Sequence, residues 1–284
     1  MLELTITAAE KKLGHLMPER LQEAVSAVRN DGFVVLHEAI DTAHIAVLRE
    51  RMLDDVAQIM ALDDVPYQFY GGHLQQDPPP FAPYLFRDVL VNSFAVDVTQ
   101  AVLGKGVKNT FYSGNTCLPN DTRQPLHVDI GQLWPDLEKA HPAYALVVNV
   151  PVVDMTAENG STELWPGTHL DTTRAMSDGD IKIPDDARER VRAHTQPLQP
   201  RVPVGSLLIR DMRVWHGGMP NRTDTPRPMI AMIHWPRWWN AGKPLLFAKG
   251  SEEIFADSPL ETVAEFVDGP IDYISRNNKY DYKK

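Results

Sequence analysis

Two stretches near the amino end carry apolar residues at helical spacing. Leu21, Ala24, Val25 and Val28 follow Pro18 and stop at Asp31-Gly32, which predicts an amphipathic helix of about three turns. Ile45, Leu48, Met52, Val56 and Ile59 form a second stripe behind Asp41, a good N-cap residue. Arg49, Glu50, Arg51, Asp54 and Asp55 fall to the solvent side, with His44 beside them. Between the two helices, residues 33–36 are an unbroken apolar run and read as a short buried strand.

The texture then changes twice. Residues 63–88 carry Pro66, Pro78, Pro79, Pro80 and Pro83 among Tyr67, Phe69, Tyr70, Phe81, Tyr84 and Phe86, so no helix runs through them. A long irregular segment this rich in aromatics is read as ordered, and its polar members His73, Gln75 and Gln76 are candidates for lining a pocket. From Asn109 onward the pattern is β: residues 110–113, 144–150, 162–165, 207–211 and 229–235 are short and rich in β-branched residues, with turn signals at 158–161 and 203–206. Strands without βαβ alternation indicate a sandwich or barrel. The expectation is one mainly β domain over residues 1–284: a helical part to about 105, a β core from about 106 to 240, and a tail from about 241. Residues 171–200 look like an insertion, a lid or a loop, with a charged helix near 185–192.

Composition narrows the partners. The chain is 43% hydrophobic and 23% charged, ordinary for a globular protein, and its net charge of −10 argues against nucleic acid or an anionic membrane while leaving a cationic small substrate open. The single cysteine, Cys117, excludes an intramolecular disulfide or a cysteine zinc cluster and suits a reducing compartment. The first residues lack a basic start followed by an apolar core, and no apolar run is long enough to span a bilayer. A cytoplasmic location is therefore expected; no oligomeric state is implied.

The chemistry centres on Gln124-Pro125-Leu126-His127-Val128-Asp129. On an extended backbone His127 and Asp129 share a face and can ligate one ion. His216, at the end of another apolar run, is the candidate third ligand; two imidazoles and a carboxylate with open positions are typical of non-haem Fe(II) oxygenases. Arg227 follows, with a planar fork suited to a dicarboxylate. A second His-x-Asp, His169 and Asp171, follows the turn residues Pro166 and Gly167, where an aspartate serves the backbone instead. A cupin-like metal enzyme that dispenses with 2-oxoglutarate, and a catalytically silent ligand-binding domain, are the competing readings.

Three motif groups then carry a family resemblance: Gln124-Pro-Leu-His127-Val-Asp129; Glu158-Asn159-Gly160-Ser161-Thr162 with Trp165-Pro166-Gly167-Thr168-His169; and Trp215-His216-Gly-Gly-Met-Pro220-Asn221 followed by Arg227. The chain resembles the phytanoyl-CoA dioxygenase family of Fe(II)/2-oxoglutarate oxygenases, whose fold is a double-stranded β-helix, or jelly roll. Within that family it is most similar to the kanamycin B dioxygenase type, through Gly72-His73-Leu74-Gln75-Gln76-Asp77, Tyr112-Ser113-Gly114-Asn115 and Ile209-Arg210-Asp211 among others. The resemblance implies His127, Asp129 and His216 as iron ligands and Arg227 on the far carboxylate of 2-oxoglutarate. Gln124 would contact its near end and Thr162 the same cosubstrate, with Tyr70, His73, Gln75 and Asn115 as candidate substrate contacts. Such enzymes consume dioxygen and 2-oxoglutarate, release succinate and CO2, and oxidise a C–H bond by hydroxylation, desaturation, ring formation or deamination. The implied substrate is a small specialised metabolite, an amine-bearing one among the options. The segment after Asp171 and the tail from Lys243 match no motif.

Overall fold

The computed structural model describes residues 1–69, 71–240 and 242–279. In chain order the elements are β1 (Glu3–Thr5), α1 (Ala8–Leu13), α2 (Pro18–Asn30), β2 (Phe33–His37), α3 (Thr42–Met60), β3 (His73–Gln75), α4 (Arg87–Leu90), α5 (Ser93–Leu103), β4 (Lys108–Cys117), β5 (Leu146–Pro151), β6 (Thr162–Leu164), α6 (Asp185–Arg192), β7 (Leu207–Asp211), β8 (His216–Gly218), β9 (Arg227–Trp235), β10 (Leu245–Ala248), β11 (Glu261–Thr262) and β12 (Ala264–Val267).

Both predicted helices form where the stripes place them. Pro18 occupies the first turn of α2, whose buried residues include Ala24, Val25 and Val28. The helix stops at Asp31, and Gly32 follows at φ +91°, where an added Cβ would stand 2.4 Å from Val214 Cγ2. Asp41 caps α3 by accepting from the Ala43 amide at 2.9 Å. Asp55, read as a surface residue, is instead fully buried among the apolar residues of α3. Its carboxylate meets Arg51 at 2.9 Å and the Tyr273 hydroxyl at 2.9 Å, which is how a charge survives there.

Among the described residues an eight-stranded sheet runs β1-β2-β7-β5-β9-β4-β11, with β3 beside β4. Side-chain alternation decides what each face does. Leu146, Val148, Val150, Leu207, Ile209, Ile230 and Met232 point to the helices and share one core with Leu48, Met52 and Phe94. Their alternates Val147, Asn149, Arg210, Met229, Ala231 and Ile233 point the other way and line a cavity.

A second sheet closes that side. β6 and β8 pair antiparallel, and bridges at His127↔His216 and Leu164↔Leu198 extend the pair on both edges. Residues 171–200 are not a free lid. The Val128 amide donates to Ile181 O and the Ile183 amide to Leu126 O, so this segment adds an edge to the second sheet. Ile183 and Ala187 pack there against Leu126, Trp165 and Trp215. Phe33, Val35, Leu208, Leu164, Met155 and Val202 fill one end of the space between the sheets, and the cavity occupies the other. This is the double-stranded β-helix, with β1 and β2 drawn from the helical part and β11 from the tail. Among the described residues no helix is long and apolar enough to cross a membrane.

Candidate active site

His127 and His216 face each other across the second sheet. Each backbone amide donates to the other's carbonyl, at 2.9 and 2.8 Å, and the ring centroids are 4.3 Å apart. The two rings are held alike: His127 Nδ1 lies 2.7 Å from Pro125 O, and His216 Nδ1 lies 2.9 Å from Val214 O. A carbonyl only accepts, so each Nδ1 carries the proton and each Nε2 offers a lone pair. Asp129 joins them, with Oδ1 3.5 Å from His216 Nε2, and the ligand atoms of the three residues all lie within 4.8 Å of one another. Burial pushes the His127 imidazole down to about 3, keeping it neutral and able to ligate. Burial pushes the Asp129 carboxyl up, but the Arg210 guanidinium outweighs it and holds it well below the usual carboxylate range.

Arg210, part of the Ile209-Arg210-Asp211 motif, carries no role in the sequence reading. It is 6% exposed on β7 and crosses the sandwich to Asp129, Nη2 to Oδ2 at 2.6 Å. Its Nε reaches Asn149 Oδ1 at 3.3 Å, and its Nη1 is buried without a partner. The available signal was a charged residue inside the otherwise apolar run 207–210, in register with Val147 on the cavity-facing side.

Arg227, 1% exposed, opens β9 at the cavity wall. The turn at residues 158–161 positions it: Nε donates to Asn159 O at 3.2 Å and Nη2 to Gly160 O at 3.1 Å, while Nη1 is buried and unpartnered. Gln124 also reaches the cavity, which strand parity alone does not allow. The structure supplies the reason: Gln124 pairs with Gly218 and His127 with His216, three steps on one strand against two on the other, a bulge that returns both side chains to one side. Gln124 Oε1 accepts from the Gly218 amide at 2.8 Å. Thr162, in register with Gly218, lines the same wall.

The cavity holds about 470 Å³. Gln75 and Asn115 line it as expected. Phe69 and Gln68, which sequence reading did not select, line it too, with the Phe69 ring centroid 4.8 Å from that of His127. His73 does not. It is 1% exposed behind the wall, its Nδ1 3.3 Å from Asn115 Oδ1, because β3 pairs with β4 and turns this residue inward toward Cys117 and Gly218. Tyr70 lies outside the described residues.

Two imidazoles and one ionised carboxylate converging on one point fit a divalent iron, and the buried, unpartnered Nη1 of Arg227 fits one end of a dicarboxylate. Residues 28–229 match the family model of phytanoyl-CoA dioxygenase (PhyH). The chain belongs to this family. As a PhyH protein it is a non-haem iron, 2-oxoglutarate-dependent oxygenase, taking Fe(II), 2-oxoglutarate and dioxygen. Dioxygenase FUM3 of Gibberella moniliformis is 26% identical over 228 residues, 75% of this chain and 71% of that one. Dioxygenase af480 of Aspergillus fumigatus is 23% identical over 232 residues, 77% of this chain and 68% of that one. In fold, the PhyH chain is similar to the epimerase SnoN, solved in complex with Fe3+, alpha ketoglutarate and nogalamycin RO. The TM-score is 0.59 at 16% identity, covering 88% of this chain and 97% of SnoN.

Proposed function

We propose that this enzyme oxidises a C–H bond of a small specialised, natural-product metabolite, coupled to conversion of 2-oxoglutarate to succinate and CO2. The observation that carries the reading is Arg227, buried with an unpartnered Nη1, at the wall of a cavity that also holds His127, Asp129 and His216. A metal enzyme without 2-oxoglutarate has no use for a buried guanidinium there, and a silent binding domain has no use for the three converging ligands.

His127, Asp129 and His216 would hold iron on one face. Arg227 would take the far carboxylate of 2-oxoglutarate, Gln124 would contact its near end, and Thr162 would contact the same cosubstrate. Once bound, iron and its cosubstrate supply the oxidising power, spending dioxygen and 2-oxoglutarate. Arg210 restrains the second oxygen of Asp129, so that Oδ1 alone is turned to the histidines. Val147, Met212, Met229, Ala231 and Ile233 wall the cavity with apolar surface and keep bulk water from the reacting carbon. The outcome is hydroxylation, desaturation, ring formation or oxidative deamination, and product analysis reads which.

Anaerobic addition of Fe(II) and 2-oxoglutarate to the metal-free protein tests the reading. A weak visible charge-transfer band is expected, and Arg227→Ala should weaken 2-oxoglutarate binding by about 1.5–3 kcal/mol, the worth of a charge-assisted pair. Iron binding with no band would favour the cupin-like enzyme, and no metal binding the silent domain.

A further inference from the structure

The tail carries no motif, yet it reaches the cavity. Asn277 and Asn278 line it, and the residues just before them are fixed at two points. Tyr273 is 5% exposed; its hydroxyl accepts from Arg51 Nε at 2.8 Å and donates to Asp55 on α3, and its ring meets Phe81 edge-on at 5.5 Å. Ile274 packs on the cluster formed by Val56, Ile59 and Leu74. Three residues after Tyr273, Arg276 Nε pairs with Asp77 Oδ2, and Asp77 is 1% exposed.

Asp77 is also the end of a chain of hydrogen bonds that runs into the cavity wall. Its other oxygen accepts from Ser113 Oγ; Gln75 donates to Ser113, Gln68 to Gln75, and Asn115 to Gln68. The ion pair that holds the tail and the amides that line the cavity are one network. Within it Gln68 and Gln75 each use one donor and one acceptor of their side-chain amides, as does Asn115 with His73 behind it. A primary amide has two N–H groups and two lone pairs, so each keeps one donor and one acceptor for a ligand. A hydroxyl or an amide group, which both donates and accepts, matches that surface.

Charge argues against a cation. Among the described lining residues the one carboxylate is Asp129, already taken by Arg210, and both oxygens of Asp77 behind the wall are occupied. Arg210 and Arg227 line the same cavity. With a divalent metal and a dianionic cosubstrate cancelling, two guanidinium groups outnumber one carboxylate, and an ammonium group would enter without a counter-charge.

We propose that residues 272–278, latched by Arg276 to Asp77, form a wall of the substrate site, and that Asn277 and Asn278 act with the Gln68, Gln75 and Asn115 amides to select a neutral, hydroxyl- or amide-bearing substrate. This rests on the oxidation of a small metabolite in this cavity and narrows it, setting aside the amine-bearing option and with it oxidative deamination.

The test uses the full chain, loaded anaerobically with Fe(II) and 2-oxoglutarate, and a matched hexose series: methyl glucoside, N-acetylglucosamine, glucosamine and glucuronate. Perturbation of the charge-transfer band reports occupancy. The neutral pair should perturb it at concentrations about tenfold lower than glucosamine, as expected when a charge must enter unpaired. In Asn277→Ala/Asn278→Ala the neutral probes should weaken about fivefold, the loss of one or two hydrogen bonds, with the unliganded band unchanged. Arg276→Gln should weaken them similarly and raise amide hydrogen exchange across residues 272–278. A preference for glucosamine or glucuronate, or no response to either neutral probe, overturns the substrate class. Wild-type binding in both variants, or unchanged exchange in Arg276→Gln, overturns the role of the tail. Failure of the band to form in the parent protein is a different result: it removes the oxygenase reading, and this inference with it.

Discussion

Arg210 Nη2 lies 2.6 Å from Asp129 Oδ2, a contact made across the sandwich between β7 and the second sheet. The carboxylate is thereby oriented by a cation on the side away from the histidines. A ligand so restrained does not have to be ordered when the metal arrives.

Arg210→Met is therefore expected to weaken Fe(II) binding about 10- to 100-fold, the usual cost of losing a partner that orients a metal ligand. Anaerobic Fe(II) titration of the purified variant measures it. An affinity equal to the parent's would mean that Asp129 is positioned by its backbone alone, through the amide it donates to Met212 O at 3.0 Å.

The same pair makes Asp129 structural as well as chemical. Asp129→Ala should abolish iron binding and turnover, and should also leave Arg210 with Asn149 as its one remaining partner among the described residues. The expected loss of stability in the metal-free protein is about 1–3 kcal/mol, below the range for a fully buried pair because the Asp129 side chain is 27% exposed. Urea unfolding checks this, and the double variant Asp129→Ala/Arg210→Met should recover part of the loss. No recovery would show that the pair is not coupled.

Acid should destabilise the metal-free protein earlier than its carboxylates alone would. Burial, with Arg227 adding to it, takes the His73 imidazole down to about 4, and burial takes His234 down to about 3. The ordinary value for the unfolded chain is 6.5. Both are neutral when folded, so below that value the unfolded chain binds protons the folded one does not. Stability is fully present above it and lost as pH falls toward about 4, with a slope of about 1.4 kcal/mol per pH unit for each histidine. Urea unfolding at pH 5 and 6 reads the slope, and His234→Gln should make it shallower by one proton's worth. An unchanged slope in that variant would contradict a buried neutral His234.

What the sequence made legible follows from the range of the interactions involved. His127 and Asp129 are two residues apart, and extended backbone geometry is enough to pair them; His216 and Arg227 each stand beside local turn residues that mark them. Gln124 needed the bulge opposite Gly218, which is a property of two strands together. Arg210 meets Asp129 from the facing sheet, and no spacing along one strand announces such a partner. Asp55 was misplaced because a helical stripe counts apolar residues only, and its partner Tyr273 comes from the far end of the chain. His73 was assigned to the pocket on residue type; pairing of β3 with β4 turns it inward. The tail was opaque for the same reason as Arg210, since Tyr273 and Arg276 are anchored by residues about two hundred positions away.

Gly218 joins these layers. A Cβ there would stand 2.4 Å from His73 Cε1 and 2.9 Å from Gln124 Oε1. His73 is 1% exposed and has nowhere to swing, whereas Gln124 is tied to the Gly218 amide itself. Gly218→Ala should therefore push Gln124 off the cosubstrate side of the cavity and strain β8 two residues from His216. The expected cost is about 1–3 kcal/mol of stability from overpacking, and about a tenfold weaker 2-oxoglutarate complex from the displaced hydrogen-bonding amide. Thermal unfolding and titration of the charge-transfer band separate the two effects. Adding His73→Ala removes the nearer clash and should return most of the stability while leaving the Gln124 contact crowded. If Gly218→Ala/His73→Ala is no more stable than Gly218→Ala, His73 is not what Gly218 accommodates, and the glycine serves the backbone approach to Gln124 instead.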